Sequence, residues 1–499
     1  MREETAPVVI IGSGMGGGTT AYALTKLGIE VLILERGDYL PTEAENWSAQ
    51  AIFIDKRYRH NEMWIDKNGK EFSPGVHYFV GGNSKLYGAA LPRFRAEDFG
   101  EIKHLQGTSP AWPFTYDDFE PYYYQAESLY KVHSDAGVDP TEGKRSKPFP
   151  HAAMPHERYV LDLKNRFTNL GLHPFPSAMG IDLGDGGKCI RCSTCDGFVC
   201  KLNAKSDAQS CALEEAQKTG LVRVLTNAKV KKLVPNSDGS AIDHVLVEGP
   251  EGDYIVRGDK YVLAAGAVNS AALMLKSGVG NSSGLVGRNY MTHINSHIAT
   301  FDPFRKNDIT FQKTLSWNDW YLDGGKGYPL GAVQLIGKVT GLMMKSYATK
   351  MPRFILDYIA DHSVEFVVMT EDLPHPDNRI EVDKDGRIHV ILNQVGMKTH
   401  LELLKKAKKF LRKSGFKLIF RQPFDISMNA HQCGTVKAGN DPKTSVVDQY
   451  CKSHDLDNLY VIDGGFFPSS AALNPALTIA AQALRVVAES GLAKELQKR

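Results

Sequence analysis

Residues 8–36 read VVIIGSGMGGGTTAYALTKLGIEVLILER. Val8-Val9-Ile10-Ile11 is a continuous apolar run, as expected of a strand buried on both faces. It leads into a glycine-rich turn and an apolar-periodic stretch, Thr19 to Leu27, which stops at Gly28. A second apolar run, Glu30 to Leu34, ends at Glu35. Strand, helix and strand make a βαβ unit. Gly12, Gly14 and Gly17 form G-x-G-x-x-G, with Met15 between the last two. The first glycine permits the tight turn, the second lets backbone approach a pyrophosphate, and the third lets helix pack on strand. Free N–H groups at the helix start then receive the phosphate charge. Glu35 lies 23 positions after Gly12, where a carboxylate accepts hydrogen bonds from ribose hydroxyls. The unit is expected to bind a dinucleotide, and the fingerprint alone does not separate FAD from NAD.

Outside this unit the composition sets bounds. A chain of 499 residues suggests two or three domains, at roughly 150 residues each. The hydrophobic fraction of 42% and charged fraction of 23% are those of an ordinary globular protein. A net charge of +2 supplies no global field for nucleic acid, so no nucleic-acid partner is expected. The opening MREETAP has no basic or apolar leader character, and no run of about 18 apolar residues suggests a membrane span. Seven cysteines, an odd number, favour a reducing compartment, and a cytoplasmic location is expected.

Three further blocks carry a resemblance: YFVGGNSKLYGAALPRFRAEDF (78–99), YVLAAGAVNSAALMLKSGVG (261–280), and the long stretch from HQCGTVKAGN (431–440) through NLYVIDGGFFPSSAALNPALTIAAQAL (458–484). With SPAWPFTYDDFEPYYYQAESLY (109–130) and GRNYMTHINSH (287–297), they resemble the glucose–methanol–choline (GMC) oxidoreductases, flavoproteins that oxidise alcohols. The resemblance covers most of the chain and keeps the family's order of blocks. It implies an α/β fold: a Rossmann-like FAD-binding domain assembled discontinuously from residues 1–100, 180–298 and 431–499. A connecting segment would follow at 101–179. An α+β substrate domain on an antiparallel sheet would be inserted at 299–430. The cofactor implied is FAD, contacted by Gly81, Gly82, Ser84, Val230, Ala265, Gly266, Asp463, Gly464, Asn474, Pro475 and Thr478, in addition to Gly12, Gly14, Met15, Gly17, Glu35 and Arg36.

Oxidising an alcohol with a flavin requires a hydride to pass to N5 and a proton to leave the hydroxyl. A group titrating near neutral pH is wanted to take that proton. His431, in NAHQCGT, stands at the family's active-site histidine. Asn474, in LNPALTI, stands at its second position, where an amide can donate to the developing alkoxide. Capping of the helix that follows is the alternative role for Asn474, and the substrate-facing one is favoured.

GGNSKLYGAALPRF, FQKTLSWNDWY (311–321) and YPLGAVQLIGK (328–338) resemble pyranose oxidases and bacterial glycoside 3-oxidases. The resemblance implies a sugar or glycoside substrate oxidised at a secondary ring hydroxyl, with oxygen or another acceptor. Pyranose oxidases attach FAD through a histidine two residues after the serine. Here Ser84 is followed by Lys85 and Leu86, so non-covalent FAD is expected. Asn318, Trp320 and Tyr321 suit a sugar, but aromatics in a substrate domain are more often core, so none is assigned as a ligand. Two other readings stay open: a dehydrogenase of another alcohol, such as an aminosugar precursor, that uses a quinone or carrier protein; and a hydroxynitrile lyase that binds FAD without redox turnover. CIRCSTCDGFVC (189–200) places Cys189, Cys192, Cys195 and Cys200 together. Its spacing departs from the ferredoxin run and no zinc-finger partner pair follows, so structural thiols and no metal are expected. A helix is expected from near Ser206, and a basic amphipathic surface helix over His400 to Lys417.

Overall fold

The computed structural model describes residues 2–497. Its central sheet contains β1 (Glu3–Ile11), β2 (Val31–Leu34), β3 (Val222–Leu225), β4 (Lys229–Pro235), β5 (Ile242–Gly249) and β6 (Gly252–Leu263). The order is β3-β2-β1-β6-β5-β4, and a returning strand, Leu459–Val461, lies parallel to the end of β6. β3, β2, β1, β6 and the returning strand are parallel to their neighbours, whereas β6, β5 and β4 form an antiparallel meander. Val8, Ile10, Leu32 and Ile33 are fully buried, as the apolar runs require for a sheet covered on both faces.

α1 (Met15–Lys26) joins β1 to β2 and packs against the C-terminal helix Ala476–Glu489, which packs in turn on helix Tyr116–Leu129. α1 starts four residues before the periodic stretch, because glycines 16 to 18 carry no apolar pattern yet lie within the helix. Thr115 and Asp118 cap helix Tyr116–Leu129 reciprocally.

A second, antiparallel sheet holds β7 (Ile294–Phe301), β8 (Leu315–Trp317), β9 (Ala332–Leu335), β10 (Ser363–Thr370) and β11 (Leu418–Pro423). Its order is β11-β7-β10-β9-β8, and Phe175–Pro176 adds to β8. This is the α/β architecture with an antiparallel second sheet that the sequence led us to expect. β7 begins before residue 299 and Phe175 lies far upstream of it, so the sheet draws strands from outside the expected insert. The basic amphipathic stretch forms helix Met397–Lys413, which buries Leu403, Leu404, Ala407 and Leu411. The helix expected near Ser206 starts instead at Ala208, capped by Asp207, as a wide π-type turn that continues into Glu214–Gln217.

β10 is buried along its whole length, and Glu365 is carried inside with it. One carboxylate oxygen accepts from Gln312 Nε2 (2.9 Å) and the other has no partner among the described residues. Burial pushes its pKa up to about 7. The folded state therefore holds a proton that the unfolded chain has released, and stability declines as pH rises from the ordinary carboxyl range to about 7. Glu365→Gln keeps the shape without the charge. Its melting temperature should exceed that of the wild type by a few degrees at pH 8 and lose that advantage at pH 5, measured by thermal unfolding.

Candidate active site

Three glycine turns meet above the parallel strands. Gly12 is left-handed (φ +98°), and a Cβ there would stand 2.5 Å from the Ala264 carbonyl. A Cβ on Gly16 would reach 1.7 Å from the Ile462 carbonyl, and one on Gly17 would reach 2.0 Å from Gly12 O, so α1 seats by backbone contact. Met15 is buried at its first turn. Gly14, by contrast, faces open space, and Gly82 lies against its Cα. Gly81 N–H donates to Ser13 Oγ (3.1 Å), which donates to Glu35 Oε2 (2.6 Å). Ser13 N–H and Gly37 N–H also donate to Glu35 (both 3.0 Å), which is 5% exposed. Oε2 takes both Ser13 donors, whereas Oε1 accepts only from Gly37 N–H and keeps a lone pair for a ribose hydroxyl. Arg36 pairs with Glu62 (2.5 Å) and stacks on Tyr78. Val230 sits at the start of β4, just after Ala228, whose N–H bonds the Glu35 carbonyl.

The third turn, at Ala265 and Gly266, is tied to the C-terminal block by Asp463. Its carboxylate accepts from Gly266 N–H (3.0 Å), Ser270 Oγ (2.6 Å) and Gly465 N–H (2.8 Å). Gly464 touches the Gln432 carbonyl, beside His431. Ser84 donates to Gly81 O (2.5 Å) and accepts from Ala208 N–H (3.0 Å), so its hydroxyl holds the loop together. Pro475 opens helix Ala476–Glu489, and Thr478 bonds the Tyr123 hydroxyl (2.8 Å). Glycine-only backbone around open space, a helix N-terminus and an acceptor for ribose fit the diphosphate and ribose of FAD.

His431 is positioned by a short antiparallel ladder in which Met291 faces Cys433 and Thr292 faces Gln432. The next pair is His293 and His431, whose Nδ1 atoms lie 2.9 Å apart. His293 Nε2 lies 2.9 Å from the Ser470 carbonyl, which can only accept. His293 is therefore protonated on Nε2 and presents a bare Nδ1, so His431 donates from Nδ1 and keeps the lone pair on Nε2. Burial holds His293 down to about 4 and His431 well below the histidine range. The His293 ring and the Lys313 ammonium push His431 further in the same direction. His431 Nε2 has no hydrogen-bond partner among the described residues.

Ser470 belongs to the loop that carries Asn474. In it Ala471 adopts φ +52°, and Ala472 N–H donates to the Tyr321 hydroxyl (3.2 Å). Gln334 Nε2 donates to Asn474 Oδ1 (3.2 Å), which fixes the amide and leaves Nδ2 as a free donor. Beside Gln334 and Leu473 opens a narrow cleft with about 40 Å³ of enclosed space, whose walls include Asn318, Ser177, Asp139 and Phe149. Trp320 and Tyr321 are core: Trp320 packs on Phe410, and Tyr321 donates to Asp98 (2.8 Å). Leu86 is buried with Ile52, Tyr58 and Phe198.

The sequence reading did not single out His293 or Gln334, although both lie in quoted blocks. Their roles depend on partners 138 and 140 residues away. The cysteine segment wraps the same region: Asp196 accepts from Lys313 Nζ (2.6 Å) and Gly337 N–H (2.5 Å). Cys189, Cys192, Cys195 and Cys200 are free thiols, and burial pushes Cys195 up to about 12. Among the described residues no three His, Cys, Asp or Glu side chains converge as metal ligands.

Two family profiles described as GMC oxidoreductase match residues 175–295 and 374–483, and a NAD(P)-binding Rossmann-like domain profile matches residues 10–87. Paromamine 6'-oxidase of Streptomyces fradiae is 31% identical over 512 residues, covering 96% of this chain and 90% of that protein. The 6'''-hydroxyparomomycin C oxidase of Streptomyces lividus is 30% identical over 519 residues, with the same coverage. The fructose dehydrogenase large subunit of Gluconobacter japonicus is 26% identical, over 97% of this chain and 98% of that one. Among solved structures, pyridoxine 4-oxidase from Mesorbium loti superposes with a TM-score of 0.69 at 17% identity, covering 99% of both chains. That likeness speaks for the fold.

On the expectation that Leu86 replaces the linking histidine, acid precipitation of the purified protein should release all of its yellow chromophore. Colour retained in the pellet would contradict non-covalent binding.

Proposed function

The chain belongs to the GMC oxidoreductase family and is an FAD-dependent enzyme of CH–OH groups; from that premise we propose that it oxidises a hydroxyl of a sugar or glycoside, with His431 as base and Asn474 as donor to the reacting oxygen. One observation carries the reading: an imidazole with its Nε2 lone pair free and an amide with its Nδ2–H free are each fixed by a dedicated neighbour. Bound FAD supplies the hydride acceptor. His431 Nε2 takes the hydroxyl proton, Asn474 Nδ2 steadies the oxygen as charge develops, and His293 keeps the imidazole in the receptive tautomer.

The cleft beside Gln334 supports a polyhydroxylated substrate, because its lining mixes hydroxyl, amide and carboxylate groups with an aromatic ring. Paromamine, paromomycin and fructose, in the names of the relatives, support the same class. The segments resembling pyranose oxidases and glycoside 3-oxidases favour a secondary ring hydroxyl that yields a keto-sugar. The 6' and 6''' positions in two relatives' names favour a second reading, in which the oxidised carbon carries that number. Seven free thiols support a cytoplasmic setting. Among the described residues no helix is long and apolar enough to cross a membrane.

An anaerobic screen of sugars, aminoglycosides and simple alcohols tests the substrate class. A sugar or glycoside should bleach the flavin band, and admission of oxygen then shows whether oxygen is the acceptor. Bleaching by simple alcohols alone would overturn the assignment.

His431→Ala should retain FAD and slow flavin reduction by roughly 10²–10⁴-fold. Asn474→Ala should cost on the order of 10²–10³-fold. The double variant should lose less than the product of the two, since both groups act on one oxygen. The base works when neutral and its pKa is depressed. Wild-type reduction should therefore stay on its plateau through neutral pH and fall only in acid below the ordinary histidine range. That acid limb should vanish in His431→Ala.

His293→Leu frees His431 to protonate Nε2 instead. It should lower kcat by about tenfold or more with KM little changed, the pattern for loss of a tautomer-setting partner. His293→Gln can still accept from His431 and donate to Ser470 O, and should recover part of that loss. Equal kcat values for the leucine and glutamine variants would show that His293 only fills space.

A further inference from the structure

We propose that the β11 edge of the antiparallel sheet, with helix Arg353–Asp361 beside it, docks on an anionic lipid surface. The first observation is apolar. Phe304 is 96% exposed, Phe354 74%, Phe420 50% and Tyr358 49%. They form one patch: the Phe301 ring lies 6.0 Å from Tyr358 and 6.4 Å from Phe420, and the Tyr358 hydroxyl donates to the Pro303 carbonyl, next to Phe304 (3.0 Å). Phe354 is one helical turn before Tyr358. A contiguous patch of this kind marks an interaction surface.

The second observation is charge. Residues 397–421 contain nine Lys and Arg against the single acid Glu402, in a chain whose net charge is only +2. Glu402 is held by Lys326 (3.1 Å), outside that stretch, and none of the nine cations has a carboxylate at ion-pair distance among the described residues. Lys408, Arg412 and Arg421 crowd one another, and Lys417 and Arg421 lie on or beside β11 itself. Of the acids bordering the aromatic patch, Asp162 pairs with Arg305 (2.7 Å), Asp357 with Arg353 (2.7 Å) and Asp361 with Lys306 (3.2 Å), while Asp302 accepts the Phe304 N–H (3.0 Å) and has no cation at ion-pair distance among the described residues.

Charge selects the occupant. Among the described residues β11 pairs only with β7, so its outer edge is open to another strand. Edge pairing with a second copy would oppose Lys417 and Arg421 to their own kind, the arrangement by which edge strands resist pairing. Anionic headgroups would neutralise the cations instead. Phe304 and Phe354, which project singly, would enter the interfacial layer while lysine stems extend to the phosphates. The contact is peripheral.

Holoenzyme, with its FAD bound, is sedimented with vesicles of phosphatidylcholine alone or mixed with phosphatidylglycerol. It should bind the mixed vesicles, release in high salt and ignore the neutral ones. Phe304→Ser with Phe354→Ser, and separately Arg412→Glu with Lys417→Glu, should each lower the partition coefficient about fivefold or more, the scale for one surface cation. Turnover in solution should be unchanged, which also certifies folding. Failure to bind the mixed vesicles, or binding that neither double variant weakens, overturns the proposal. So does sedimentation velocity showing self-association that the phenylalanine variant abolishes without vesicle binding, which would assign the patch to a second copy.

Discussion

One buried carboxylate ties the middle of this chain to its C-terminal block. Asp463, almost wholly inside the protein, accepts from the turn at Gly266, from Ser270 on the helix beyond it, and from Gly465 in its own segment. Burial raises its pKa, and the three donors oppose that rise by bonding the charged form. Removing them would leave a desolvated charge, which costs far more than the bonds themselves contribute. The constraint is geometric as well. It sets the C-terminal block against the glycine turns of the nucleotide unit, and the loops of His431 and Asn474 descend from that block. Close packing reinforces it, since α1 approaches Ile462 and Gly12 with no side chain between.

On that platform the reactive groups are held by neighbours from other segments. Ser470 O orients His293, His293 orients His431, and Gln334 orients Asn474. Each link removes one ambiguity, a tautomer or an amide flip, so both polar atoms that remain free are the ones the proposed chemistry needs. The depressed pKa values of both histidines follow from the same enclosure, which keeps the imidazole proposed as base neutral. The cysteine segment adds a wall to this region through Asp196, which pins the Lys313 ammonium near the imidazoles. Burial raises its Cys189 and Cys195 thiols, as suits a packed loop.

Local signals made much of this legible in advance. Glycine spacing and two doubly apolar runs specify a βαβ nucleotide unit, because turn geometry and two-sided burial act over a few residues. Helix Met397–Lys413 was visible from its amphipathic period. Its limits shifted by a few residues because Ser414 and Gly415 end it, with Gly415 in the left-handed region. Trp320 and Tyr321 show the opposite case: an aromatic in a substrate domain has the same local signature whether it lines a cleft or fills a core. Here contacts with Phe410 and Asp98 place both in the core.

The sequence by itself determined the nucleotide unit, which rests on residue type at short spacing, and its resemblance to the family implied the order of blocks and the candidacy of His431 and Asn474. Only the tertiary structure decided which nitrogen of His431 is free, which end of the Asn474 amide donates, and that β7 and Phe175–Pro176 share one sheet with the insert. Those properties belong to pairs of groups more than a hundred residues apart. A histidine's tautomer and an amide's orientation are set by the hydrogen bond on the far side of the ring or the group, and that partner exists only once the chain has folded.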